Sequence, residues 1–179
     1  MLVIRLSVKP KLTPLEKWIL WHLYIDGPEN YLKPIFRGYQ HYTVKPEFLI
    51  EIIPIPLLSE INKIRDVTRV LDALGKKGYL NHHYPNHYSL NAQGILIFRK
   101  YVISEIMNLV MDIDRTKVVI SKLEKNAVKE SSKVAKILKE IAEKVKDKAE
   151  EDVADAIWDA IKTLGSIAFG YLIRAITSS

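Results

Sequence analysis

Apolar side chains recur along this chain at two periods, and each change of period predicts a change of backbone state. Leu2, Ile4, Leu6 and Val8 alternate with Arg5 and Ser7, the pattern of a half-buried strand, which Lys9-Pro10-Lys11 ends. From Thr13 the spacing becomes helical. Thr13 stands as N-cap, Pro14 at the first helical position and Glu16 three residues after the cap, and Asp26-Gly27-Pro28 stops the helix. Leu15, Trp18, Ile19, His22 and Leu23 form its inner stripe.

The clearest succession of elements is Asp66 to Gly94, DVTRVLDALGKKGYLNHHYPNHYSLNAQG. Asp66 is placed to cap a short helix in which Val67, Val70, Leu71 and Leu74 make one apolar stripe. Arg65, Thr68, Arg69, Asp72 and Lys76 fall away from that stripe. Gly75 and Gly78 bracket the last turn, with Lys76 and Lys77 where cations suit the carbonyl end of a helix. Tyr79-Leu80 and Tyr88-Ser89-Leu90 flank a Pro85-Asn86 tip, which predicts a hairpin, and Gly94 opens another helix.

The flanking regions are less regular. Residues 29–56 form an aromatic-rich insertion with Tyr31, Phe36, Tyr39, Tyr42 and Phe48, in which Pro46 to Ile53 fits either a helix or a buried strand. The simplest second helix runs from Pro56 to Asn62. Leu57, Ile61, Ile64, Thr68 and Leu71 also share one helical spacing, so a single rod from Leu57 to Leu74 is the alternative, with Tyr31 to Phe36 then serving as second helix. After the hairpin, Ile95 to Asp114 is helical, and Arg115 to Ala149 is a Lys/Glu-rich amphipathic helix with Ser131-Ser132 as its candidate break. Val134, Leu138, Ile141 and Val145 give it the thin stripe of a coiled-coil seam. Glu150-Glu151-Asp152 starts a last helix that carries Val153, Ile157, Ile161, Leu164, Ala168 and Leu172, with Gly165 and Gly170 as kinks or stops.

The phrases Leu74-Gly75-Lys76-Lys77-Gly78-Tyr79-Leu80 and Tyr88-Ser89-Leu90-Asn91-Ala92-Gln93-Gly94 resemble the end of the recognition helix and the close of the wing in winged-helix DNA-binding transcription regulators, broadly the PadR-like and MarR-like families. Asn91 stands where the closing phrase has Thr; both cap helices. The Thr13-Pro14-Leu15 to Gly27-Pro28 phrasing is similar to the PadR-like first helix. The resemblance implies a mainly α fold with a small β-hairpin wing: a winged helix-turn-helix domain over residues 1–94, then long C-terminal helices over 95–179. It also implies double-stranded DNA as partner and a homodimer held through the C-terminal helices; their thin stripe needs a cover, either the final helix of the same chain, a second copy, or both. The winged-helix unit is expected to have its own core, from Trp18, Ile19, Leu23, Ile61, Val67, Leu71, Leu74, Leu80 and Leu90, and to need no tail to fold.

Charge agrees with that expectation, since a net charge of +6 favours a polyanionic partner. The chain has no Cys, which excludes disulfides and thiolate metal sites and fits a cytoplasmic protein. Abundant Ile, Lys and Glu fit a heat-adapted, archaeal source. There is no phosphate-binding Gly loop, nucleophile elbow or metalloprotease helix, so neither an enzyme nor a cofactor is expected. His82, His83 and His87 cluster on the wing, yet no carboxylate lies between Gly78 and Gly94 to complete a metal site. The expected DNA contacts are Arg69 and Thr68 to bases and Lys63, Arg65, Lys76 and Lys77 to phosphates. Asp72 lies on the same face, and His82, His83, Asn86 and His87 act from the wing.

Overall fold

In a computed structural model of the protein, residues 12–25, 44–83, 86–145 and 150–178 are described. The expected strand at 2–8, the alternative helix from Tyr31 to Phe36, the loop aromatics from Tyr31 to Tyr42 and the Pro85 half of the hairpin tip lie outside them. Helix α1 (Pro14–Ile25) starts where its cap predicts: the Glu16 N–H donates to Thr13 Oγ1 at 3.2 Å, and the Thr13 N–H donates to Glu16 Oε2 at 2.8 Å. Every residue from Leu15 to Leu23 is buried. A helix without a solvated face must be surrounded, and the rest of the chain is arranged to do so.

Helix α2 (Pro46–Ile52) resolves the choice left open by the sequence in favour of a helix. The second helix expected at Pro56 to Asn62 is instead a 3₁₀ turn, Ile55–Glu60, entered through Pro54 and Pro56. The single rod from Leu57 to Leu74 does not form either, because Ile61 and Lys63 are extended (φ −135° and −149°). Helix α3 (Ile64–Lys76) begins two residues before Asp66, which is therefore its third residue and not its cap. The Asp66 carboxylate reaches back to accept from the backbone N–H of Asn62 and of Lys63, at 3.0 and 3.1 Å. That is the acidic half of a capping box.

Strands β1 (Leu80–His83) and β2 (His87–Leu90) form an antiparallel hairpin, with Leu80 opposite Leu90 and His83 opposite His87. Val44 extends it on the far side of β2, exchanging both backbone bonds with Tyr88 at 2.9 and 3.0 Å. Helix α4 (Ala92–Met111) is capped by Asn91, whose side chain accepts from the Gly94 N–H at 2.9 Å. Asn91 therefore fills the capping role expected of it.

Beyond α4 the chain forms α5 (Ile113–Lys125), α6 (Lys129–Val145), α7 (Glu150–Lys162) and α8 (Ser166–Thr177). The helix expected from Arg115 to Ala149 is thus two helices, parted at Asn126 to Val128 and not at Ser131-Ser132. Ser131 lies buried inside α6, and its hydroxyl donates to the Leu123 carbonyl at 2.7 Å. The thin stripe of α6 is covered by the same chain: Val134, Leu138 and Ile141 are buried where α6 meets α5, α7 and α8. Helix α8 in turn lies along α1. The Trp18 indole N–H donates to the Ser166 carbonyl at 2.8 Å, and Trp21 stacks on Phe169 at 4.6 Å between ring centroids. Phe98 of α4 and Trp158 of α7 complete the aromatic cluster around Trp21. The core expected for residues 1–94 alone is thus shared with the tail. Among the described residues, no helix is long and apolar enough to cross a membrane.

Close approach of α8 makes Gly170 sensitive to size. A Cβ there would lie 2.5 Å from Pro54 Cγ and 2.7 Å from Pro54 Cβ, in a ring that cannot swing aside. Gly170→Ala should lower stability by about 1–3 kcal/mol in denaturant unfolding. Gly75→Ala, whose nearest atom is the Leu80 carbonyl oxygen at 4.0 Å, should be neutral or stabilising by up to about 1 kcal/mol. Equal effects would contradict the packing described.

Candidate nucleic-acid interface

Helix α3 has one side committed to the core and one to solvent. Val67, Leu71 and Leu74 are fully buried, while Arg65, Arg69, Asp72 and Lys76 are exposed. At 3.6 residues per turn those four positions fall within about 60° of arc, so they make one row along the helix. Lys63 is exposed just before the first turn. Thr68 is half-buried at the edge of the row, and its hydroxyl donates to the Ile64 carbonyl at 3.2 Å.

Two members of the row are held by neighbours. Arg69 Nη1 lies 3.8 Å from Asp66 Oδ1, a long contact on a side chain that is 65% exposed. The N–H of Asn62 holds the Asp66 carboxyl below its usual range, with smaller contributions from Lys63 and Arg69. Asp72 accepts a hydrogen bond from the Tyr88 hydroxyl at 2.7 Å. That bond ties the exposed face of α3 to β2, so Asp72 positions the hairpin in addition to facing outward.

The end of α3 is fixed as firmly as its start. Gly78 has φ +79°, and the N–H groups of Gly78 and Tyr79 donate to the Gly75 and Leu74 carbonyls at 2.9 and 3.0 Å. This is a Schellman stop, which directs the chain into β1. Lys77, expected on phosphate, has its ammonium 2.5 Å from the carboxylate of Glu16, which is almost fully buried. Lys76 makes no such pair among the described residues and points to solvent. The structure therefore separates two lysines that are adjacent in sequence.

On the hairpin, His82 is exposed and stacks on Tyr88 with centroids 4.7 Å apart, and His83 Nε2 lies 2.8 Å from Ser89 Oγ. Asn86 is exposed in the turn, and His87 is half-buried opposite His83. Among the described residues, no three His, Cys, Asp or Glu side chains gather as a metal site would require. The sequence places Glu16 in a helix cap and Tyr88 in a strand but does not show that they hold Lys77 and Asp72 of the α3 region. Glu16 is separated from Lys77 by 61 positions, and spacing cannot signal a pair so distant. No protein-family model, curated protein or solved structure matches the chain.

The Tyr88–Asp72 bond has a consequence for pH. Burial, followed by the hydrogen bond to Asp72 and its charge, pushes the Tyr88 phenol up to about 12. A group raised on folding contributes stability that is fully present below its unfolded value, about 10, and is lost as pH rises through the folded one. Wild-type protein should therefore lose more stability between pH 10 and 12 than Tyr88→Phe does, measured by thermal unfolding across that range. Parallel curves would remove Tyr88 from the latch between helix and hairpin.

Proposed function

We propose that this chain is a sequence-specific double-stranded-DNA-binding protein of the winged helix-turn-helix type, acting as a transcription regulator. The observation that carries the reading is the row Arg65, Arg69, Asp72 and Lys76 on the free side of α3, beside a hairpin latched to it through Tyr88. An α-helix fits the major groove, and an Arg on its outer face suits bidentate contact with guanine O6 and N7. In this reading Arg69 and the adjoining Thr68 read bases. Lys63, Arg65 and Lys76 contact phosphates, and His82, His83, Asn86 and His87 approach the backbone or minor groove from the wing. Lys77, paired with Glu16, and Asp72, bonded to Tyr88, hold α3 and the hairpin in place.

The proposal includes a homodimer held through the C-terminal region, since paired recognition helices fit half-sites on neighbouring turns of DNA. The stripe of α6 is used within the chain, so such a contact would rest on Met111 and Ile113, large apolar side chains exposed at the α4–α5 corner.

Selection from a random-sequence duplex library tests the reading. The expected outcome is enrichment of a defined sequence, whose affinity falls by about 1–3 kcal/mol in Arg69→Ala with unchanged melting temperature. Uniform binding of all sequences would favour a DNA-organising role. Absence of binding would leave the fold as a protein-interaction module and overturn the proposal.

A further inference from the structure

The α5–α6 region holds a second basic surface that the reading above leaves unused. Residues 113–145 contain nine Lys or Arg against five Asp or Glu, and so carry +4 of the net +6. Their distribution matters more than their number. Lys129, Lys133 and Lys136 are exposed and fall within about 60° of arc on α6, spanning about 10 Å at 1.5 Å per residue. Lys122 and Lys125, also exposed, come from the last turn of α5, just before the connection to α6. None of these five makes an ion pair among the described residues, whereas Lys139, one turn on, is paired with Glu124 at 2.5 Å. The first acid on the arc is Glu140, which ends the row.

The chemistry of the row selects its partner. The apolar stripe of α6 is buried against α5, α7 and α8, and the exposed Val118 and Val128 stand singly among the lysines, too little apolar surface to enter a lipid surface. Neither α5 nor α6 contains an aromatic residue, so nothing there stacks on unpaired bases. Lysines are point charges without the planar fork that reads a base edge, and they suit a regular array of phosphates. One strand of a duplex presents a phosphate about every 3.4 Å along the axis, so a row of about 10 Å faces about three of them. We infer that Lys129, Lys133 and Lys136, flanked by Lys122 and Lys125, form a second contact surface that binds the phosphate backbone of double-stranded DNA without regard to sequence. The choice of duplex DNA as polyanion rests on the proposed function. The main packing partners of α5 and α6 are α4, α7 and α8, not α3 or the hairpin, so the surface is separate from the recognition helix.

The test uses the full chain and two duplexes, one enriched by selection and one scrambled, titrated over a range of salt concentrations. The triple variant Lys129→Gln/Lys133→Gln/Lys136→Gln should bind both duplexes more weakly by the same factor. Its plot of log affinity against log salt should be shallower by about 2–3, with the ratio between duplexes unchanged. Glu140→Lys, a gain of charge on the same arc, should tighten binding and steepen the slope by about 0.9. Unaltered slopes in both variants would overturn the inference, as would duplex binding that is unaffected while binding to vesicles of equal phosphatidylglycerol and phosphatidylcholine is lost. Wild-type protein that binds neither duplex would overturn it too. The two surfaces fail separately: a triple variant that loses affinity beside an Arg69→Ala variant that loses none would remove α3 from the interface and leave the lysine row in place.

Discussion

The burial of α1 is the constraint from which the other packing follows. Trp18 and Trp21 are completely inaccessible, and no single layer can cover both sides of a helix that is buried all round. Helix α3 and the hairpin close on one side, and α4 and α8 on others. Fully burying side chains of this size is worth about 1.5–3 kcal/mol each. The tail therefore contributes to the same core as α3. This packing has a cost: the Trp21 indole N–H, enclosed by rings, finds no acceptor among the described residues, and Glu105 Oε2 finds no donor there.

Two charged residues at the start of α1 convert that burial into orientation. Glu16 completes its own helix cap and also holds Lys77 at the exit of α3. Lys17, next in sequence, is buried with its ammonium 2.6 Å from Glu105 of α4 and 5.2 Å from the centre of the Tyr101 ring. Buried ion pairs are weak sources of net stability, but breaking one leaves an uncompensated charge. These two pairs disfavour any sliding of α3 or α4 along α1. The exposed row on α3 is thereby fixed relative to the rest of the molecule, as the proposed contact with a rigid duplex would require.

Legibility in the sequence followed the range of the interactions. The start of α1, the stripe of α3, its glycine stop and the Asn91 cap are set by residues within a turn of one another, and local pattern showed them. The start of α3 is less legible: Asp66 suits a cap as well as a third helical position, and Leu57 to Ile64 shares the period of Val67 to Leu74. What parts them is a carboxylate reaching back to two backbone N–H groups, which periodicity does not register. In the tail the stripe is visible and its cover is not, so the pattern leaves open whether the final helix of the same chain or a second copy covers it. That cover depends on Gly170 meeting Pro54, and on Ser166 meeting Trp18 across 148 positions. In the site, exposed cations were legible as a face, but the division between Lys76 and Lys77 was decided by Glu16.

Helix α8 belongs to the same structural unit as α1, so the placement of α3 depends on the tail. Native-state hydrogen exchange of the full chain measures it directly, because amides within one cooperative unit open with a common free energy. The account predicts that the interior amides of α1 and α8 share the highest protection in the protein and lose it together as denaturant is added. Opening of α8 several kcal/mol more easily than α1, with protection of α1 retained, would contradict it.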